Sequence, residues 1–207
     1  MKYLKDIVKT YEKGWDFDFG KKSRLNYWLS VWQSVTDRIN RRYNFACLAI
    51  APNGACVGHL MAAIAGKPRG FHPVLFLINR LVTLVLLMSR QGRHIIMEHS
   101  LYSGHMDKAV RLGKCILAGK AQKVSEGISV AVDPEYRESG IYREMTRILL
   151  GNASGHLVFH TSTECVYQAH EKMGYKHLYK VPYPKSISGK DETYIMYGDK
   201  SMLAGAG

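Results

Sequence analysis

Polar and apolar positions in this chain follow two periods, and the switches between them set out an order of elements. Residues 3–13 carry a short helical pattern. From Ser23, a capping residue by type, Leu25, Trp28, Leu29, Trp32, Val35 and Ile39 form one helical stripe, with the tryptophans read as core. The period then changes to two. Phe45–Ile50 and Cys56–Ala62 flank Pro52-Asn53-Gly54, whose glycine supplies the positive φ of a hairpin turn. Gly66-Lys67-Pro68-Arg69-Gly70 breaks the chain, and 74–88 is apolar nearly all round. That run predicts a buried helix within an insertion at about 66–92; a lid over a hydrophobic pocket and a membrane-surface helix are the alternatives. Its 15 residues, with Arg80 inside, are too short and too interrupted for a membrane span. His94–His99 reads as a short strand, and Ala109, Leu112, Cys115, Ile116 and Leu117 as a helix over about 105–119.

The clearest pattern lies at 127–149. Ile128, Val130 and Val132 alternate as a strand, with Ala131 small on the other face, and Pro134 ends the ladder. Ile141, Met145, Ile148 and Leu149 then fall at helical spacing. Between them, Arg137-Glu138-Ser139-Gly140 leaves backbone N–H groups at a helix N-terminus, where unsatisfied donors and a partial positive charge suit a phosphate. Gly140 allows close approach of the anion. A strand at 156–161, a short helix over 163–173 closed by Gly174, and strands at 175–181 and 192–197 complete the order. Residues 201–207 read as a flexible tail, and nothing divides 1–207 into more than a single domain.

Composition changes this picture in one respect. The 207 residues are 46% apolar and 22% charged, as in globular proteins, but 29 Lys and Arg stand against 17 Asp and Glu, for +12. The excess favours anionic partners: a CoA-like cofactor, an acidic carrier protein or a lipid headgroup. The basic residues are scattered, without a block of five or six, so no nucleic-acid partner is expected. Cys47, Cys56, Cys115 and Cys165 lack metal-ligand spacing; no metal is expected, and the thiols are read as mostly buried. The start has no apolar signal core, which with free thiols points to a cytoplasmic protein.

The strand ending in Val132-Asp133-Pro134, with Arg137-Glu138-Ser139-Gly140-Ile141-Tyr142 and a helix after it, resembles the signature of the GNAT (GCN5-related) N-acyltransferases. Arg137 and Gly140 match; Tyr142 stands where that family has Gly or Ala. Thr163 to Tyr175 resembles a second signature of the same family: Glu171-Lys172-Met173-Gly174-Tyr175 fits, while Thr163 replaces Asn, Val166 replaces Ala and His170 replaces Tyr. The resemblance is detailed over about 126–175, coarse over 43–65 and absent over 66–122. It implies an α/β (α+β) fold, a mixed twisted β-sheet flanked by helices, carrying the helical insertion.

The resemblance also implies an N-acyltransferase that moves an acetyl or short acyl group from acyl-CoA to the primary amine of a small molecule by direct attack. Acetyl-CoA or another acyl-CoA would bind Val130, Ala131 and Val132 on the strand, the backbone of Arg137, Glu138, Ser139, Gly140, Ile141 and Tyr142, and Thr163. Glu126, at the strand start, is the candidate general base, against a solvated loop carboxylate. His170 is the candidate acid for the leaving thiolate, as an imidazole protonated near neutral pH, against a packing role. Two other functions stay open: a long-chain N-acyltransferase using an acidic acyl carrier protein or a long acyl-CoA as donor, and a catalytically weak CoA-binding or sensing module. The oligomeric state stays open, a homodimer being one option, and membrane contact is not expected.

Overall fold

The computed structural model describes residues 4–14, 24–40, 43–68, 73–119, 123–161, 164–182 and 192–201. Their elements run α1 (Leu4–Gly14), α2 (Arg24–Asn40), β1 (Phe45–Ile50), β2 (Cys56–Ala63), α3 (Pro73–Leu87), α4 (Arg90–Ala118), β3 (Val124–Val132), α5 (Ile141–Asn152), β4 (His156–Thr161), α6 (Glu164–Lys172), β5 (Lys176–Pro182) and β6 (Glu192–Gly198). The strands form one sheet in the order β1-β2-β3-β4-β6-β5. The β1/β2, β4/β6 and β5/β6 pairs are antiparallel and β3/β4 is parallel, so the sheet is mixed, as expected. Ser23, Thr163 and the tail from Met202 lie outside the described residues.

The residues gather into two compact units, one of 1–63, 67–96 and 128–149, the other of 64–66, 97–127 and 150–207. In the first, Leu29 and Trp32 of α2 meet Val82 and Leu86 of α3 in a buried cluster. Ile7 and Tyr11 of α1 close over Met61 of β2. Several polar groups inside are paired. Tyr11 Oη donates to the buried Asp37 carboxylate at 2.6 Å, and Gln33 Nε2 reaches its other oxygen at 2.9 Å. Burial and the Asp37 carboxylate together push the Tyr11 phenol well above its ordinary pKa.

In the second unit, Met106, Ala109, Val110 and Leu117 of α4 pack on Val158 of β4 and Ile195 of β6. Tyr179 Oη donates to the Ala109 carbonyl, tying β5 to the same helix. The parallel β3/β4 pairing joins Val124–Glu126 to His156–Val158. Just past it, the Phe159 ring occupies the place of a side chain on Gly127: a Cβ there would lie 1.9 Å from Phe159 Cε1, so only glycine fits.

Three expectations differ from what is found. His94–His99 is not a strand but part of α4, a 29-residue helix that takes in the separate helix expected at 105–119. Ser89 Oγ accepts the Gly92 amide at 2.9 Å and opens this helix, while Ile95 and Ile96 pack on the α2/α3 cluster; tertiary burial overrides their strand preference. The apolar run at 74–88 does form a helix, yet only Leu75, Val82 and Leu86 are buried in it. α2 is the partner of one face, and Asn79 and Thr83 are used on it: Asn79 Nδ2 donates to Thr36 Oγ1 at 2.8 Å, and Trp32 Nε1 donates to Thr83 Oγ1 at 3.1 Å. Nor are the described thiols core residues, since Cys47 and Cys56 are half-buried and Cys115 is exposed.

Candidate functional site

β3 ends at Val132, and Asp133 anchors the turn beyond it. Its amide donates to the Val57 carbonyl at 2.8 Å, and its carboxylate, 2% exposed, accepts the Glu135 amide at 3.3 Å and Lys13 Nζ at 2.5 Å. An aspartate that caps its own turn, with proline next to fix φ, directs the chain away from the sheet. Pro134–Tyr136 make one 3₁₀ turn, closed by Tyr136 N–H to Asp133 O at 2.9 Å. The carboxylate raises the pKa of Lys13, through their hydrogen bond first.

Beyond Arg137 the backbone turns left-handed twice, at Glu138 (φ 67°) and Gly140 (φ 79°). Left-handed residues in a tight polar turn aim successive amides to one side and make a concavity suited to an anion. Among the described residues, the amides of Glu138, Ser139, Gly140 and Ile141 have no acceptor, and the space where a Gly140 Cβ would stand is open. Ser139 Oγ donates back to the Tyr136 carbonyl at 2.6 Å, so its side chain serves the turn. α5 starts here, with Glu144 N–H donating to Gly140 O at 3.0 Å. The acidic residue of its first turn is neutralised locally, since Glu144 is chelated by Arg147 at 2.6 and 2.8 Å. Arg137 is exposed and Tyr142 half-buried.

Val130 and Val132 are half-buried on one face of β3, and Ala131 is buried on the other. Together with 137–142 they form a continuous strand, turn and helix start inside the first unit. Glu126 and His170 belong to the second unit.

Glu126 is ion-paired with Lys114 Nζ of α4 at 2.5 Å, and its side chain is 14% exposed. It stands on β3 and is engaged by Lys114, so it is not a solvated loop carboxylate.

His170 departs from the expectation of an imidazole protonated near pH 7. It is 1% exposed, with ring centroids 4.8 Å from Phe159 and 5.0 Å from Tyr175. Desolvation lowers its pKa to about 4, only partly opposed by the Nδ1–H bond to the Val166 carbonyl at 2.8 Å. Burial therefore favours the neutral ring, which packs against Phe159 and Tyr175.

Asp133, Lys13 and Lys114 escaped the motif reading. The Asp-Pro pair is a turn signal that points to Asp133. The lysines join partners 120 and 12 positions away through folding, which no local pattern marks.

No protein-family model and no curated protein matches the sequence. Solved structures do match. Histone acetyltransferase HPA2 and related acetyltransferase from Corynebacterium glutamicum superposes with a TM-score of 0.56 at 12% identity, over 96% of this chain and 92% of that one. Arylalkylamine N-acetyltransferase 2 from Aedes aegypti gives 0.55 at 13% identity, over 96% and 94%. A protein from Desulfovibrio desulfuricans assigned to the GNAT acetyltransferase family gives 0.51 at 10%, over 96% and 92%. This chain has the GNAT acetyltransferase fold. At such identities the likeness is one of fold, and the chemistry has to come from the chain's own residues.

Proposed function

We propose that this protein is an N-acyltransferase that binds acyl-CoA and passes an acetyl or short acyl group to a primary amine. The observation that carries the reading is the run of unsatisfied amides at Glu138–Ile141, set at the N-terminus of α5 with two left-handed residues. Such a site holds a diphosphate by main-chain donors and the helix dipole, with Arg137 beside it for further charge. Val130–Val132, which lead into that turn, are the candidate seat for the amide-bearing arm of the donor. In the reaction the amine nitrogen attacks the thioester carbonyl, the C–S bond breaks, and the thiolate leaves and takes up a proton. The attacking amine gives up its proton to a base, for which Glu126 is the candidate.

Calorimetry with coenzyme A and acetyl-CoA, then a free-thiol assay over a panel of primary amines, tests this. Heat with both ligands and amine-dependent thiol release are expected; no heat with any coenzyme A derivative overturns the reading.

One set of observations favours a second reading, a CoA-binding module with weak turnover. The imidazole in the acid position is buried and neutral, and the carboxylate in the base position is salt-bridged. Binding heat without thiol release for any amine selects that reading.

A further inference from the structure

α3 is apolar on two sides. Leu75, Val82 and Leu86 are buried, Asn79 and Thr83 are paired with α2, and the outer face carries a second aliphatic stripe. Leu77, Leu81, Leu84 and Met88 succeed one another at helical spacing on that face, 59%, 54%, 61% and 85% exposed, with Val74 and Val85 beside them. A continuous apolar stripe of this size on a folded chain marks a contact surface.

Charge decides what covers it. Positions 38–97 hold eight Lys and Arg and not one Asp or Glu. Lys67 and Arg69 precede α3 in sequence, Arg80 lies within it, and Arg90 and Arg93 come after it. Arg80 lays its guanidinium over the Phe76 ring at 5.0 Å, at the border of the stripe, and Arg93 Nη1 donates to the Leu87 carbonyl at 2.9 Å. Two copies meeting through this face would set Arg80 of one against the basic residues bordering the other. An aliphatic face edged by arginines instead fits the boundary between acyl chains and anionic headgroups, where the stripe is buried and the guanidinium groups stay among phosphates.

We propose that the outer face of α3 docks this protein on an anionic lipid bilayer, lying in the interface without crossing it. This runs against the sequence expectation that membrane contact is absent. It does not rest on the acyltransferase reading, because vesicle binding and coenzyme A binding are measured separately and either can fail alone.

The test is flotation of the full chain with vesicles of phosphatidylglycerol and phosphatidylcholine, against vesicles of phosphatidylcholine alone. The chain is expected to float with the anionic vesicles and to be released by high salt. Leu77→Asn with Leu81→Asn lowers partitioning by about tenfold or more, since two leucines lose their burial. Arg90→Gln with Arg93→Gln lowers it by about fivefold per charge. Because the leucines are exposed, the first variant keeps the wild-type melting temperature; a marked drop would mean the stripe is packed inside, and would overturn the proposal. So would a chain that stays at the bottom with anionic vesicles, or that floats equally well with neutral ones. Light scattering that finds a dimer dissolved by the leucine pair, without flotation, assigns the face to a second copy. Binding of a purified acidic acyl carrier protein, lost in the leucine pair and again without flotation, assigns it to that partner. Either result overturns the lipid assignment.

Discussion

The two stretches that resemble family signatures are built in opposite ways. The turn after β3 is open: its amides at Glu138–Ile141 lack acceptors among the described residues, and the space over Gly140 is free. The segment at α6 is closed: His170 and Tyr175 are 1% and 4% exposed and pack tilted and edge-on, respectively, against Phe159. One region offers donors to an anion; the other excludes water and keeps its imidazole neutral. A motif match therefore carries fold in both places but candidate chemistry in only one. What separates them is solvation, which spacing does not encode.

The comparison breaks most visibly at Phe159. Its ring fills the site left by Gly127 and supports both His170 and Tyr175, so Phe159→Ala removes a shared wall. The expected cost is about 3–5 kcal/mol, read by denaturant unfolding. If the closed region were a functional cleft, the same change would cost little stability and would alter ligand binding instead.

Acid titration comes next. His170 has a folded-state pKa of about 4, below the ~6.5 of an unfolded chain. A lowered value means stability is fully present above ~6.5 and is lost as pH falls toward 4, to an extent on the order of 3 kcal/mol. His59 adds in the same direction, fully buried and lowered to about 3 by desolvation. Unfolding free energy measured between pH 7 and 4 should fall steeply, and His170→Phe should flatten the slope while leaving the part due to His59. An unchanged slope would return His170 to the role of an acid protonated near neutrality.

The legibility of the chain divides along the same line. Alternation at Ile128, Val130 and Val132, the stop at Pro134 and the helical spacing from Ile141 each rest on local chemistry, and the strand, turn and helix stand where those residues indicate. The hairpin at Pro52-Asn53-Gly54 was legible for the same reason, with Gly54 at φ 79°. His94–His99 was not, because a β-branched run is helical only when something packs against it, and its partners come from α2 and α3. Likewise, the pattern of 74–88 shows that it is apolar but not that Asn79 and Thr83 are paired with α2 while most of its aliphatic residues stay exposed. Within the site, Gly140 could be read from its neighbours; the ion pairs of Glu126 and Asp133 depend on the folded chain.

Gly140→Val sharpens the open side of the comparison. A β-branched residue at φ 79° is strained by about 1–2 kcal/mol, and the turn relaxes by moving its amides out of line. Coenzyme A affinity is expected to fall by about tenfold or more, with only a small loss of fold stability, because the position is exposed and touches nothing. Calorimetry and thermal melting on one preparation separate the two effects. Equal affinity in the variant would show that the diphosphate is held elsewhere.

The smallest effect concerns how the open turn is kept in place. Lys13 lies on α1 and reaches Asp133 at 2.5 Å, with the lysine side chain 56% exposed and the aspartate 2%. Solvent at the lysine end screens the pair, so Lys13→Met should cost about 1 kcal/mol, well below the loss for a fully buried pair. Asp133 keeps the Glu135 amide as a partner, which limits the damage further. The consequence for binding should exceed the consequence for folding: with α1 released, the turn samples more conformations and the amides at Glu138–Ile141 are less often aligned. Added salt should narrow the difference between wild type and Lys13→Met, because it weakens the ion pair in the former and has none to weaken in the latter. A salt-independent difference would mean that Lys13 acts by packing its stem, and the open turn would then owe its shape to Asp133 and Pro134 alone.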